Sequence, residues 1–332
     1  MKILFLIQSL KGTIEAAELC SIVRKVFGGS AADILPVTDG GDGFLNTVHF
    51  YNKHLSKVPV STVNAEGETI EVSVLQDNST VFIESADIIG LKQIHKNRDP
   101  LTRSTEGLGC IIKEFYDDRK RVYIGLGGSA TVDIGCGMLT SLGFKTVHYH
   151  GTNVLRNTIS REQYPLLTGV CDVYNTLEGE KGAIVYAGQK GVRPEAMDRL
   201  AEMFEETSRN LGIDGMECSG SAGGLGGAIA YAGGRLLDNF SFMNSFVSIE
   251  SAVSNADTVV VTEGQIDCQS FYGKITGRII DLALEDGKRV IALTGANHSQ
   301  RNDFEVIEMG QEGIRMPRRT IEKALNQMRK MI

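Results

Sequence analysis

The order of elements in the first 57 residues constrains the fold most. Residues 3–7 form a short, wholly apolar run, which is typical of a strand buried on both faces. An amphipathic helix is predicted over residues 14–27 with Thr13 as its N-cap, followed by a strand over 34–37 and a helix over 44–51. Alternation of this kind predicts a parallel α/β sheet, in which ligands collect beyond the carboxyl ends of the strands.

The loops that follow these two strands contain charged residues that suit such a location. Lys11 follows the first strand, and an ammonium group suits phosphate, although a loop lysine is often only solvated. Asp39 and Asp42 follow the second strand among glycines, and their carboxylates suit Mg²⁺ or a hydroxyl group. The alternative for this aspartate pair is an Asp-Gly turn that binds nothing.

A glycine-rich stretch follows another predicted strand at residues 125–133, here called the glycine loop. Its backbone N–H groups and hydroxyls can converge on an anion; the residues are Gly127, Gly128, Ser129 and Thr131. A helix predicted over residues 133–142 adds the positive end of its dipole, and Asp133 is placed to hold a metal or a proton. A tight turn without a ligand is the alternative.

Composition excludes several classes of function. The net charge is −7 and no run of lysine or arginine occurs, so neither a nucleic acid nor a membrane surface is expected as a partner. The first apolar run is too short for a signal-peptide core, and no segment approaches the roughly 20 apolar residues that span a bilayer. A cytoplasmic location is expected, with the 6 scattered cysteines reduced.

The pattern changes from about residue 58, where two alternating strands surround a turn at Gly67 and predict a hairpin. We therefore predict a smaller α/β domain, residues 58–165, that carries the glycine loop. It is inserted into a Rossmann-like parallel-sheet domain made of residues 1–57 and 166–332. The fold class is α/β with two domains.

A second glycine cluster precedes a helical segment near residue 225. It contains Gly223, Gly224 and Gly226, which either let a helix approach another backbone closely or face a nucleotide. Two common nucleotide motifs are absent. The glycine loop fits G-x-G-x-x-A, but no acidic residue follows between residues 137 and 161 to bind a ribose, and Lys274 does not complete a Walker A motif.

Seven motifs, in order, resemble those of bacterial type-1 glycerate kinases. They lie at residues 10–13, 38–43, 125–131, 171–173, 188–191, 222–226 and 263–267, and the resemblance runs from about residue 3 to residue 280. It implies two α/β domains with the active site in the cleft between them. It also implies phosphorylation of a small hydroxy acid, D-glycerate, usually at the 2-hydroxyl, with ATP and Mg²⁺ as cofactors.

The resemblance also implies roles for individual residues. Lys11 would steady the transferring group, and Asp172, with Asp133 as second choice, would orient the attacking hydroxyl. Asp39 and Glu263 are the candidates for Mg²⁺ or substrate hydroxyls. The remaining candidates are Gly127, Gly128, Ser129, Thr131, Asp42, Gln265 and Asp267 for substrate or phosphate, and Gly223, Gly224 and Gly226 for the nucleotide.

Several positions depart from the pattern of the family, and three of them bear on its activity. Gln8 replaces an aspartate, Val132 an asparagine and Gln265 an arginine. These changes leave two alternatives open: a catalytically degenerate paralogue that binds a small acid or nucleotide, or a kinase for a different hydroxy acid. An active kinase is favoured because the five proposed catalytic residues are all retained: Lys11, Asp39, Asp133, Asp172 and Glu263. The sequence does not determine the oligomeric state.

Overall fold

The computed structural model describes residues 1–10, 12–28, 31–96, 99–117, 119–145, 147–149, 152–154 and 164–331. Its contacts divide the chain into two compact units. Unit 1 consists of residues 1–52 and 239–332, and unit 2 consists of residues 53–238. The predicted α/β class with two domains is confirmed.

The elements follow in chain order. Residues 1–52 contain β1 (Ile3–Ile7), α1 (Ala16–Phe27), β2 (Ala32–Pro36) and α2 (Phe44–Tyr51). Residues 53–238 contain β3 (Ser56–Val63), β4 (Thr69–Gln76), β5 (Thr80–Glu84), α3 (Ser85–Ile89), α4 (Glu106–Asp117), β6 (Arg121–Gly125), α5 (Cys136–Ser141), β7 (Val147–Tyr149), β8 (Thr152–Val154), β9 (Leu167–Cys171), α6 (Pro194–Leu211), α7 (Ser221–Tyr231) and β10 (Arg235–Asp238). Residues 239–331 contain α8 (Asn239–Asn244), α9 (Ile249–Ser254), β11 (Thr258–Ile266), α10 (Ile275–Glu285), β12 (Arg289–Asn297), β13 (Glu305–Glu308), α11 (Gly310–Arg315) and α12 (Pro317–Met331).

The sheet of unit 1 is parallel throughout its described strands, in the order β13-β12-β11-β1-β2. Strand β1 is buried along its whole length, as expected for a parallel strand covered on both faces. Its position between β11 and β2 brings the loops after these three strands to one edge of the sheet. That edge carries the candidate residues of unit 1.

Helix α1 packs on this sheet through a buried stripe at helical spacing, which includes Leu19, Val23 and Phe27. The prediction of Thr13 as its N-cap is wrong, because the helix begins at Ala16 after Glu15. The Thr13 hydroxyl instead donates to the Leu10 carbonyl at 2.7 Å, in a turn that precedes the helix. None of the helices in the described ranges combines the length and the apolar character that crossing a bilayer requires.

Unit 2 contains a mixed sheet in the order β10-β9-β6-β5-β4-β3. Strands β5, β6, β9 and β10 are parallel, whereas β3, β4 and β5 are joined by antiparallel pairing. The predicted hairpin is confirmed, since β3 and β4 pair from Val63 with Thr69 to Ser56 with Gln76. Gly67 takes the left-handed conformation (φ 77°) that the turn requires.

The insertion ends at residue 238 and not at residue 165 as the sequence analysis predicted. The reason is that β9 pairs with β6, and β10 pairs with β9, so both strands extend the sheet that carries the glycine loop. The inserted unit is consequently the larger of the two. Its core contains Val122, Ile124 and Leu167 from the sheet together with Leu225 and Ile229 from α7.

Candidate active site

The candidate residues of both units lie where parallel strands end. In unit 1, Gln8 follows β1, Asp39 follows β2, and Glu263 lies in the last half of β11. In unit 2, the glycine loop follows β6 and Asp172 follows β9. This is the edge at which α/β sheets bind ligands. Lys11 lies outside the described residues.

A chain of buried hydrogen bonds fixes Asp39 in unit 1. Asp39 Oδ2 accepts from Gln8 Nε2 at 2.8 Å, and Gln8 Oε1 accepts from the Thr276 hydroxyl at 2.6 Å. The other oxygen of Asp39 accepts from Gly41 N at 2.9 Å. Gln8 therefore uses its amide as donor and acceptor, which an aspartate at this position cannot do while ionised. The neutral side chain keeps a second negative charge away from Asp39.

Glu263 forms an ion pair within unit 1. Lys274 Nζ lies 3.2 Å from Glu263 Oε1, and the two side chains are only 19% and 7% exposed. Lys274 is the residue before α10, so the start of that helix brings the ammonium to the end of β11. The pair fixes the orientation of the Glu263 carboxylate.

The other candidates of unit 1 lie in turns. Asp42 is half-buried in the turn before α2. Asp267 caps a 3₁₀ turn, because its Oδ1 accepts from Gln269 N (2.9 Å) and Ser270 N (3.2 Å). Gln265 is exposed and donates to Asp267 Oδ2 at 3.0 Å. Ligand binding by these three residues stays a prediction.

The glycine loop of unit 2 begins with a tight turn. Gly127 and Gly128 form the turn, and Gly128 has a φ of 75° that favours glycine. Ser129 then pairs with Gly90 as an isolated bridge, and Ala130 N donates to the Ile89 carbonyl at 2.7 Å. Two residues at the end of α3 therefore hold the loop in place.

Asp133 is buried and accepts four hydrogen bonds. Its Oδ2 accepts from the backbone and hydroxyl of Thr105 (both 2.8 Å) and from Gly137 N (3.1 Å), while Oδ1 accepts from Gly135 N (3.2 Å). Burial raises the pKa of Asp133, and these donors oppose the shift. The carboxylate thus satisfies the N–H groups at the start of α5.

The helix that the sequence predicted over residues 133–142 is shorter in the structure. Helix α5 begins at Cys136 and has 6 residues, because Ile134 and Gly135 take left-handed conformations (φ 54° and 70°). The anion that meets its N-terminus is Asp133 itself, so no phosphate needs to be placed there. Asp133 holds the loop; direct contact with a substrate stays a prediction.

The ammonium group of Lys190 contacts the glycine loop. Its Nζ donates to Ser129 Oγ at 2.9 Å and to the Thr131 carbonyl at 2.8 Å. Burial lowers the pKa of Lys190 to about 8, while the charges of Asp172 and Asp133 raise it and that of Arg103 lowers it further. The lysine is therefore mostly protonated at neutral pH, and it is held close to its titration point.

Arg103 connects the glycine loop to the segment of Lys190 through hydrogen bonds to backbone carbonyls. Its Nη1 donates to the carbonyls of Ala130 (3.2 Å) and Lys190 (2.8 Å), and the residue is buried. Thr131 is fully buried, and its hydroxyl has no hydrogen-bond partner among the described residues. Asp172 is half-buried at the end of β9 and contributes to the electrostatics of Lys190. The Thr131 hydroxyl and the Lys190 ammonium therefore lie together as buried donors beside Ser129.

The second glycine cluster approaches the glycine loop directly. A Cβ on Gly223 would lie 2.1 Å from the Thr131 carbonyl and 2.8 Å from Lys190 Nζ, and one on Gly224 would lie 2.8 Å from Ile134 Cγ2. A Cβ on Gly226 would lie 2.2 Å from the Cys218 carbonyl. Close backbone approach accounts for all three glycines. Nucleotide contact by these residues stays a prediction.

The sequence analysis proposed no role in the site for three residues that the structure places beside the candidates. Lys190 and Lys274 each belong to a glycine-lysine motif, and both ammonium groups are largely buried against loop atoms. Thr276 bonds Gln8 across 268 positions of sequence. A lysine flanked by glycine in a chain without basic runs was the available signal for the first two, whereas nothing local marks Thr276.

No group of three or more His, Cys, Asp or Glu residues that could hold a metal occurs within the described ranges. Magnesium rarely needs such a group, because it is usually bound by one or two carboxylates together with phosphate oxygens and water. The carboxylates of Asp39 and Glu263 have the right chemistry for this. Hydroxyl and ammonium donors around the glycine loop suit phosphate oxygens.

Comparison with known proteins defines the class. The sequence profile of the glycerate kinase family matches residues 3–331, so the chain belongs to that family. It is 31% identical to a glycerate kinase of Bacillus subtilis (strain 168) over 89% of this chain and 85% of that protein. It is 29% identical to glycerate 2-kinase of Escherichia coli (strain K12) with the same coverage.

The fold is similar to a crystal structure of a protein assigned as glycerate kinase 2 from Salmonella typhimurium LT2. The TM-score is 0.71 at 26% identity, covering 100% of this chain and 98% of that one. The resemblance inferred from seven short motifs is thereby confirmed, and the chain is a divergent member of the family.

Proposed function

We propose that this protein transfers the terminal phosphoryl group of ATP to D-glycerate, most simply at the 2-hydroxyl, with Mg²⁺ as the metal cofactor. Support comes from family membership and from the positions of Asp39, Asp172 and Glu263 at strand ends, with Asp133 at the end of the glycine loop. The observation that carries the proposal is the buried Lys190 ammonium, which contacts the glycine loop. A buried cation with the hydroxyl donors of Ser129 and Thr131 beside it suits a phosphate oxygen.

The roles follow from the chemistry of each group. Phosphoryl transfer depends on positioning and on neutralising charge, so the donors of the glycine loop would hold phosphate oxygens: the N–H groups of Gly127 and Gly128 and the hydroxyls of Ser129 and Thr131. Lys11 would steady the transferring group. Asp172 would orient the hydroxyl of the substrate and accept its proton.

The carboxylates of unit 1 would serve the metal and the substrate hydroxyls. Asp39 is held in one orientation by Gln8 and Gly41, and Glu263 by Lys274. Either carboxylate can hold Mg²⁺, which would neutralise phosphate charge when bound. Gln265 and Asp267 are the proposed contacts to substrate or phosphate, and at Gln265 an amide replaces the charged fork of an arginine.

An activity assay over a panel of hydroxy acids, with ligand binding measured in parallel, tests this proposal against its two alternatives. We expect ATP consumption that depends on D-glycerate. Turnover with another acid but not with glycerate would favour a kinase of different specificity, a reading motivated by Gln265. Binding of ATP or glycerate without turnover of any acid would favour the degenerate paralogue.

A further inference from the structure

The hydrogen bond between Lys190 and Ser129 has a fixed direction. A protonated lysine has three donors and no acceptor, so in the 2.9 Å contact the Ser129 oxygen accepts. The proton of Ser129 therefore points elsewhere. Among the residues that the structure describes, the Ser129 hydroxyl donates to no acceptor, and the third N–H of Lys190 also donates to none.

A second hydroxyl in the same place also lacks a hydrogen-bond partner. The Thr131 hydroxyl is fully buried and has no partner among the described residues. The Gly223 backbone lies close to the ammonium, because a Cβ on Gly223 would lie 2.8 Å from Lys190 Nζ. Ser129 itself is 5% exposed. Buried donors without acceptors are costly unless a ligand completes them.

We infer that Ser129 and Lys190 form an anion subsite in which the lysine makes the serine an obligate donor. The Ser129 O–H and the remaining Lys190 N–H donate to one anionic oxygen, which is either a phosphate oxygen of ATP or a carboxylate oxygen of glycerate. Lys190 also acts as a positioning residue, because it sets the direction of the serine proton. This inference deepens the proposed function and rests on it for the identity of the ligands.

The protonation state of Lys190 supplies a test that a purely structural lysine does not. The charges that face it are Asp172 and Asp133, which favour the ammonium, and Arg103, which disfavours it. A neutral amine can accept a hydrogen bond. When the pH exceeds the Lys190 pKa of about 8, the Ser129 hydroxyl therefore donates to Lys190 and no longer to the ligand. Affinity for the anion then falls as the pH rises.

The experiment measures the dissociation constants of ATP and of D-glycerate separately by calorimetry, for the wild type, Ser129→Ala, Lys190→Met and the double variant. Lys181→Met is the matched control, because Lys181 is an exposed lysine of the same unit. We expect each single variant to weaken one of the two ligands by about 10- to 100-fold, as for a lost charge-assisted hydrogen bond. The double variant should be no weaker than the worse single variant. The ligand affected identifies the anionic oxygen as phosphate or carboxylate.

The pH profile completes the test. For the affected ligand, the wild-type affinity should fall by about tenfold between pH 7 and pH 9, and the fall should be smaller in Ser129→Ala and absent in Lys190→Met, which lacks the titrating group. Unchanged affinity of Ser129→Ala for both ligands would overturn the inference, even if Lys190→Met does not fold. A wild type that binds through Ser129 but shows no turnover would contradict the proposed function and leave the subsite standing.

Discussion

The polar clusters of the two units occupy equivalent places, at the ends of parallel strands, but they are opposite in chemistry. In unit 1 the fixed groups are carboxylates: Asp39, held by the neutral amide of Gln8, and Glu263, held by Lys274. In unit 2 the carboxylate of Asp133 is already held by Thr105 and by the start of α5. The other fixed groups around the glycine loop are donors: the ammonium of Lys190 and the hydroxyls of Ser129 and Thr131. Unit 1 is therefore suited to a cation or a hydroxyl, and unit 2 to an anion.

Asp172 is the exception in unit 2, so its substitution tests the comparison most strongly. Asp172→Asn removes the proposed proton acceptor and keeps the size of the side chain. We expect turnover to fall by about 10²- to 10⁴-fold, the usual contribution of a general base, with ATP affinity almost unchanged. Steady-state kinetics and calorimetry measure the two effects. Full activity of this variant removes Asp172 from the mechanism.

The close approach of the two glycine segments in unit 2 predicts a large loss of stability. Gly223→Ala places a Cβ 2.1 Å from the Thr131 carbonyl, at a φ of 71°. We expect the free energy of unfolding to fall by about 3 kcal/mol or more from strain and overpacking. Gly212→Ala is the control, because its φ of 66° is similar and nothing lies within 4 Å.

That control isolates the backbone strain, which costs about 1 kcal/mol. Chemical denaturation of both variants gives the comparison. Equal losses at the two positions would mean that the glycine loop tolerates displacement, and the donors of unit 2 would then lack a rigid frame.

The depressed pKa of Lys190 predicts how stability depends on pH. The folded protein loses the proton near pH 8, whereas the unfolded chain keeps it to about pH 10.4. Between these values the unfolded chain binds more protons, so stability rises with pH. We expect a gain of about 2 to 3 kcal/mol in this window for the wild type relative to Lys190→Met. Parallel slopes for the two proteins would show that the lysine titrates normally.

A charge introduced at Gln8 tests the acceptor character of unit 1. Gln8→Glu places a second carboxylate against Asp39, where the amide now donates at 2.8 Å. We expect a loss of about 1 to 2 kcal/mol at pH 7. Since mutual repulsion raises the pKa of the new acid, the loss should vanish below about pH 4 and grow as the pH rises.

Gln265→Glu provides the matched control in the same unit. Gln265 also donates to an aspartate, Asp267 at 3.0 Å, but it is exposed. Water screens that pair, so its substitution should change stability by less than about 0.5 kcal/mol. Similar losses for Gln8→Glu and Gln265→Glu would show that burial does not distinguish the two amide–carboxylate pairs.

Local patterns predicted the elements well where they are self-contained. The predicted bounds of β1 and α2 agree with the structure, as does the β3–β4 hairpin. The end of the insertion was not predictable in this way. Strand β9 is a short, mostly buried segment like β1, and such a local pattern does not reveal which parallel sheet the strand joins.

The candidate site shows the same division. Glycines and aspartates beside strand ends were visible in the sequence, but their partners were not. Lys190 meets Ser129 across 61 positions and Gln8 meets Thr276 across 268. The role of Asp133 changed because the first turn of α5 supplies it with backbone donors, and that depends on left-handed residues at 134 and 135.

Phosphorus NMR of the protein with ATP, Mg²⁺ and D-glycerate tests the central claim most directly. The account predicts that the γ-phosphate signal of ATP is replaced by those of ADP and a phosphate monoester, whose coupling to a single proton identifies the 2-hydroxyl as acceptor. The same mixture with Asp172→Asn should stay unchanged over the same period. Loss of ATP to inorganic phosphate alone, or no loss at all from the wild type, would contradict the account.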